Sequence, residues 1–117
     1  MATYTKLPLS GSTNGKQVKV TAVSSPGTTI HTAVSGTSDM DEIWLFATNT
    51  STSPAVLTLE WGGTTSPDDM LIVGIPAQSG YLMIIPGLVL QNSLIIKAFA
   101  DVTNVINING FVNRITA

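Results

Sequence analysis

The only histidine of the chain, His31, lies between Ile30 and Thr32. Imidazole is the side chain that most readily gains and loses a proton near neutral pH. Placed beside a serine hydroxyl and a carboxylate, it can activate a nucleophile. Serine is plentiful here, but no nucleophile-elbow motif accompanies it. In its apolar, β-branched context His31 reads as a surface or interface residue of a strand. Apart from Glu60 and Asp101, the carboxylates form two small groups: Asp39, Asp41 and Glu42, then Asp68 and Asp69. Paired carboxylates can do acid–base work or hold calcium. Neither group has the spacing of a calcium loop. Ser66-Pro67-Asp68-Asp69 reads as a turn, and Asp39–Glu42 as a loop end that keeps a strand edge soluble. Trp44, Trp61, Tyr4 and Tyr81 are the residues that a sugar-stacking platform would use. The two tryptophans lie in or at the end of apolar runs, which points to core or rim. Asn49-Thr50-Ser51 fits a glycosylation sequon, a triplet that chance supplies readily in a Thr- and Asn-rich chain.

Composition narrows the chemistry further. The absence of cysteine excludes disulfides, thiolate metal sites and a Cys nucleophile. Five basic residues, Lys6, Lys16, Lys19, Lys97 and Arg114, are scattered along 117 positions. Nucleic-acid binding needs such residues clustered on a phosphate track, so no nucleic-acid partner is expected. Charged residues make up 10% of the chain, against about 25% in an ordinary domain. The surface must therefore be largely neutral and polar. A net charge of −2 gives little self-repulsion, which suits close packing of many copies. The N-terminus lacks the apolar region of a signal peptide. The longest apolar run, Tyr81–Leu90, holds Pro86 and Gly87 and is about half a membrane span, so no membrane partner is expected. No cofactor and no catalytic residue are expected either.

These residues must be positioned by strands, because the hydrophobic period is two. Residues 1–15 read as an irregular N-terminal arm, with Pro8 opposing regular pairing and Ser10–Gly15 rich in turn formers. Its apolar side chains, Tyr4, Leu7 and Leu9, are the candidate interface residues. Residues 16–117 read as the domain proper. Strands are expected over Lys16–Val23, Thr28–Val34, Glu42–Asn49, Ala55–Trp61, Met70–Ile75, Tyr81–Ile85, Ser93–Ala100 and Val105–Ile115, with a stub at Leu88–Leu90. Pro76 and Pro86-Gly87 should stop the strands before them, and Ala77–Gly80 should turn the chain. On the Ala55–Trp61 strand, Leu57, Leu59 and Trp61 should point inward and Val56, Thr58 and Glu60 outward. Gly110 marks a bulge or a close backbone approach. Roughly eight or nine short strands about ten residues apart make a single all-β sandwich, jelly-roll-like rather than immunoglobulin-like. Val20, Ile30, Leu45, Leu57, Leu59, Ile75, Ile96 and Ile108 should lie in its core.

Several stretches resemble a group of small structural proteins of tailed phages. They are Leu7–Gly15, Gly27–Val34, Glu42–Asn49, Leu59–Thr65, Gly87–Ser93 and Asn109–Arg114. Together they span nearly the whole chain, and none carries chemistry. The resemblance is to head cement or decoration proteins, which stabilise capsids. It implies a viral structural protein on the outer head surface of a bacteriophage virion, made in the host cytoplasm. The implied partners are the major capsid protein and further copies of the chain, as a homotrimer. It carries over no catalytic, metal or cofactor residue. The alternative expectation is a receptor- or glycan-binding knob of a tail fibre. A second alternative is a small hydrolase or isomerase, which a pocket holding His31 beside a carboxylate would favour.

Overall fold

A computed structural model of the chain describes residues 2–78 and 81–117. Met1 of the expected arm, and Ser79 and Gly80 of the expected turn, lie outside the described residues. The described residues hold nine strands and no helix: β1 (Thr3–Pro8), β2 (Val18–Lys19), β3 (Thr28–Thr32), β4 (Met40–Asn49), β5 (Ala55–Trp61), β6 (Met70–Ile75), β7 (Leu82–Leu90), β8 (Ile95–Ala100) and β9 (Ile106–Thr116). They form two antiparallel sheets packed face to face. Sheet I has the order β1-β9-β4-β7, with β2 also paired to β9. Sheet II has the order β3-β8-β5-β6.

The fold is a β-sandwich, and its core is the one that the two-residue alternation implies. Along β4 every second residue, from Asp41 through Ile43, Leu45 and Ala47 to Asn49, is buried between the sheets. Val20, Ile30, Leu45, Leu57, Leu59, Ile75, Ile96 and Ile108 are all buried. Burying one such aliphatic side chain contributes about 1.5–3 kcal/mol.

Four local features differ from the expectation. Within the arm, Thr3–Pro8 is a regular edge strand, paired residue for residue with Thr116–Phe111 of β9. Pro8 is tolerated at the end of an edge strand, where a missing N–H costs no ladder bond. Pro86 and Gly87 do not stop the chain, for β7 runs unbroken through them. The register shifts between Ile43 and Trp44 there, and this bulge absorbs the irregular residue. Gly87 takes a left-handed conformation, φ 85°. A Cβ on it would come 2.9 Å from Trp44 Cζ2, so the missing side chain is what lets the indole lie over β7. The strand expected over Lys16–Val23 shortens to Val18–Lys19, although Val20 N–H still donates to Ile106 O at 2.9 Å. Glu60 and Thr58, expected outside, are buried.

Gly110 is a close approach rather than a bulge. The β4–β9 register is continuous through Leu45↔Gly110, and a Cβ there would collide with the Trp44 carbonyl oxygen.

Candidate functional site

The residues with acid–base chemistry meet at one end of the sandwich. Asp41 is the first inward-facing residue of β4 and is fully buried. Arg114 stands opposite it on β9. Its Nε donates to Asp41 Oδ1 at 2.8 Å and its Nη2 to Oδ2 at 3.0 Å, a two-pronged, charge-assisted pair. His31 reaches the same carboxylate from sheet II, with Nε2 2.8 Å from Oδ2. Val34 N–H adds a longer bond at 3.2 Å.

His31 is 1% exposed, so the surface or interface reading of it is corrected. The β3–β8 register shifts between Thr29 and His31. Such a bulge re-aims the side chains around it, and here Ile30 and His31 are both buried. Asp41 is likewise part of the core face and not a solubilising loop end. The alternation that turns Ile43 and Leu45 inward turns Asp41 inward too, and that signal was present in the sequence.

The tautomer of His31 follows from its partners. Ser10 N–H donates to Nδ1 at 3.0 Å, and a backbone N–H can only donate. Nδ1 is therefore the acceptor, and Nε2–H donates to Asp41. In a nucleophilic triad the second ring nitrogen would face a serine hydroxyl. Here it faces a peptide N–H, while Ser10 Oγ accepts from Thr32 N at 2.7 Å. Both ring nitrogens are occupied. The arrangement fastens four segments together: the chain after β1, β3, β4 and β9. Burial pushes the Asp41 carboxyl up, but the hydrogen bonds from Arg114 and His31 outweigh it and hold the carboxyl below its ordinary value. The same pairing raises Arg114, against a smaller opposing effect of burial.

Glu60 is the second buried carboxylate. Ser25 Oγ donates to Oε2 and Gly27 N–H to Oε1, both at 2.6 Å. The loop before β3 folds over sheet II to make these bonds. A Cβ on Gly27 would come 2.5 Å from Ala98 backbone atoms, so only glycine lets the loop lie so close. Asp69 closes its own turn, accepting from Thr65 N at 3.0 Å. Among the described residues no three His, Asp or Glu side chains gather where they could hold a metal ion.

The outer face of sheet I is the second candidate. Pro8, Phe111, Trp44 and Pro86 stand in one row across β1, β9, β4 and β7. Trp44 and Phe111 stack with centroids 6.2 Å apart, and Phe46 and Tyr81 stack at 4.9 Å. Lys6 Nζ lies 4.5 Å over the Phe111 ring, a cation–π contact. Glu42 accepts from Trp44 Nε1 and from Asn113 Nδ2, each at 2.9 Å. The Asn113 bond leads the Trp44 bond in lowering the Glu42 carboxyl. Trp44 and Phe46 are half-buried, while Tyr4, Tyr81 and Met83 are well exposed. No element of the described chain covers this face.

Of the three candidate interface residues, Tyr4 is 71% exposed and Leu9 1%. Leu9 points into the core of its own chain, and Leu7 packs half-buried against that core. The notable hollows lie elsewhere: one of about 530 Å³ beside Val56, Gly74 and Asp101, and one of about 230 Å³ beside Gly62, Leu94 and Lys97. Neither contains His31 or a pair of carboxylates. Comparison with known protein families, with characterised proteins and with solved structures finds no match.

Proposed function

We propose that this chain is a non-catalytic structural protein of a tailed-phage virion. In this reading it decorates the outer head surface and clamps neighbouring major capsid subunits. The observation that carries the reading is the open outer face of sheet I. Aromatic and apolar side chains lie there in register on neighbouring strands, with Lys6 and Glu42 engaged by neighbours on that face. Monomeric proteins rarely leave such a face bare without an interaction to make. A decorating protein needs only modest contacts, because repetition over a shell multiplies each one. The stretches that resemble decoration proteins support the choice of partner and the homotrimer. The strand orders β1-β9-β4-β7 and β3-β8-β5-β6 support a jelly roll, an architecture that recurs in viral capsid domains and in lectins. The closed hydrogen bonding of His31 supports the absence of turnover.

Heads stripped of the protein should rebind the wild type. Trp44→Ala and Tyr81→Ala should each weaken that binding tenfold or more while the circular dichroism stays that of the wild type. Unchanged binding by both variants rejects the face as the capsid contact.

One observation favours the glycan-binding alternative. Trp44 carries the polar pair Glu42 and Asn113 at its edge, and sugar sites combine a ring with hydrogen-bonding side chains. Binding of the wild type to host surface glycans but not to stripped heads would put that reading first.

A further inference from the structure

The two sheets end in four sides, and three of these are guarded against pairing with another strand. At the β1 side, Lys6 and Pro8 interrupt an edge that β2 continues with Lys19. On the β7 side, Pro86 and two register shifts bend the strand. On the β3 side, Gly11 N–H donates to Ile30 O and Ser10 Oγ accepts from Thr32 N–H, so the chain's own N-terminal segment occupies the edge. Natural sheets use such devices to prevent edge-to-edge association.

Among the described residues the β6 side has none of them. Its sequence is Met-Leu-Ile-Val-Gly-Ile, without charge or proline, and its register with β5 is continuous from Glu60↔Met70 to Ala55↔Ile75. The direction of its peptide groups follows from β5. Trp61 N–H donates to Asp69 O on the β6 side, whereas Val56 bonds Asp101 on the β8 side. Alternation in an antiparallel ladder then turns the peptide groups of Leu71, Val73 and Ile75 toward β5. Those of Ile72 and Gly74, and the carbonyl of Met70, point out of the sheet edge. Met70 N–H is already spent on Pro67 O at 3.2 Å. Ile72 is 68% exposed.

We propose that the occupant of this edge is β6 of a second copy of the chain, paired antiparallel about a two-fold axis through Ile72. That register sets Ile72 opposite Ile72 of the other copy, Leu71 opposite Val73, and Met70 opposite Gly74. It uses the open groups of Ile72 and Gly74 and keeps the outward face outward in both copies. The sizes also fit. A Cβ on Gly74 would meet nothing within 4 Å, which leaves the space above it for Met70, the longest side chain of the outward row. The nearest charges, Asp68 and Asp69, fall opposite Pro76 and Ile75 of the other copy and far from each other. Sheet II becomes one continuous sheet across the pair. This two-fold contact is independent of the capsid reading, which uses sheet I. It is also separate from the three-fold contact that the homotrimer of that reading requires, since a symmetric β6–β6 pair joins two copies only.

The absence of cysteine makes the test direct. Ile72→Cys treated with a short bis-maleimide at low micromolar concentration should give a covalent dimer, because facing residues of such a pair have Cα atoms about 5.5 Å apart. Val23→Cys, 54% exposed and far from β6 in sequence, is the control and should cross-link at least tenfold less. Ile72→Lys should lower the particle mass in sedimentation at least twofold and leave the circular dichroism unchanged, since the side chain lies outside the core. Equal cross-linking at both positions, or a particle mass that Ile72→Lys does not alter, overturns the proposal. Capsid binding by Ile72→Lys with loss of the pair separates this contact from the one on sheet I.

Discussion

Asp41 and Glu60 are both fully buried carboxylates on neighbouring strands in sequence, and the protein treats them in opposite ways. Asp41 is met by a guanidinium and an imidazole that come from different sheets. Glu60 is met by neutral donors, a hydroxyl and a peptide N–H from one loop. Lys97 stands opposite Glu60 on β8, yet no ion pair forms between them among the described residues. The difference follows from what each carboxylate joins. Asp41 holds the end of the sandwich shut, where β3, β4 and β9 must converge. Glu60 holds down a short loop on the outside of sheet II. A buried charge is expensive unless it is paired or well hydrogen-bonded, and both solutions meet that demand at different strengths.

The comparison is broken most severely at Asp41. Asp41→Ala removes the meeting point and leaves His31 and Arg114 without their acceptor. It should cost about 3–5 kcal/mol in urea unfolding, the usual loss when one partner of a buried pair is removed. Arg114 keeps 30% side-chain exposure and can turn toward water, which favours the lower end of that range. A loss of about 1 kcal/mol or less would mean that the pairing adds nothing beyond offsetting its own desolvation.

Leu57→Ala, in the apolar layer, provides a scale without charge. Its expected cost is about 2–5 kcal/mol, transfer plus cavity. A much smaller loss would contradict the burial of β5.

Ser25→Ala should cost about 1.5–3 kcal/mol, the usual contribution of a hydrogen bond to a charged group. A cost as large as that of Asp41→Ala would erase the distinction between the two sites.

The pairing at Asp41 should also show in the response to acid. Pairing holds the folded Asp41 below its ordinary value of 3.8. A lowered carboxyl contributes stability that is fully present above the unfolded value and is lost as pH falls through the folded one. The wild type should therefore lose stability progressively as pH drops below the ordinary carboxylate range. Asp41→Asn should show a shallower fall over the same window, with Glu42, also lowered, left to contribute. Identical slopes would remove Asp41 from the account.

Glu60→Gln should have the smallest effect, about 1 kcal/mol, because the Ser25 hydroxyl can rotate to accept from the new amide while Gly27 N–H keeps its acceptor. A loss of several kcal/mol would mean that the negative charge itself is needed there.

Much of the frame was legible without coordinates. Ala55–Trp61 and Met70–Ile75 are strands with the bounds that the alternation implies. The site was legible only in its parts. His31, Asp41 and Glu42 stood out as chemistry, but Arg114 and Ser10 carried no signal that joined them to His31. Glu60 looked outward because its inward neighbours, Leu57 and Leu59, left it the other face of β5. That face is where the Ser25–Gly27 loop lands, more than thirty residues earlier in the chain.

The sequence by itself determined the class of structure, the core and the scarcity of charge. Period-two alternation is a local property, and side chains that alternate between water and apolar surroundings leave little choice but a two-layer sheet. Only the tertiary structure decided which polar residues would be buried together. A one-residue bulge in β3 turns His31 inward, β9 brings Arg114 opposite Asp41, and β9 also gives the expected arm a strand to pair with. Those outcomes depend on pairing register between segments as far apart as Thr3 and Thr116. Each is set by the energy of the whole sandwich, since a slip of one residue would expose an entire core face.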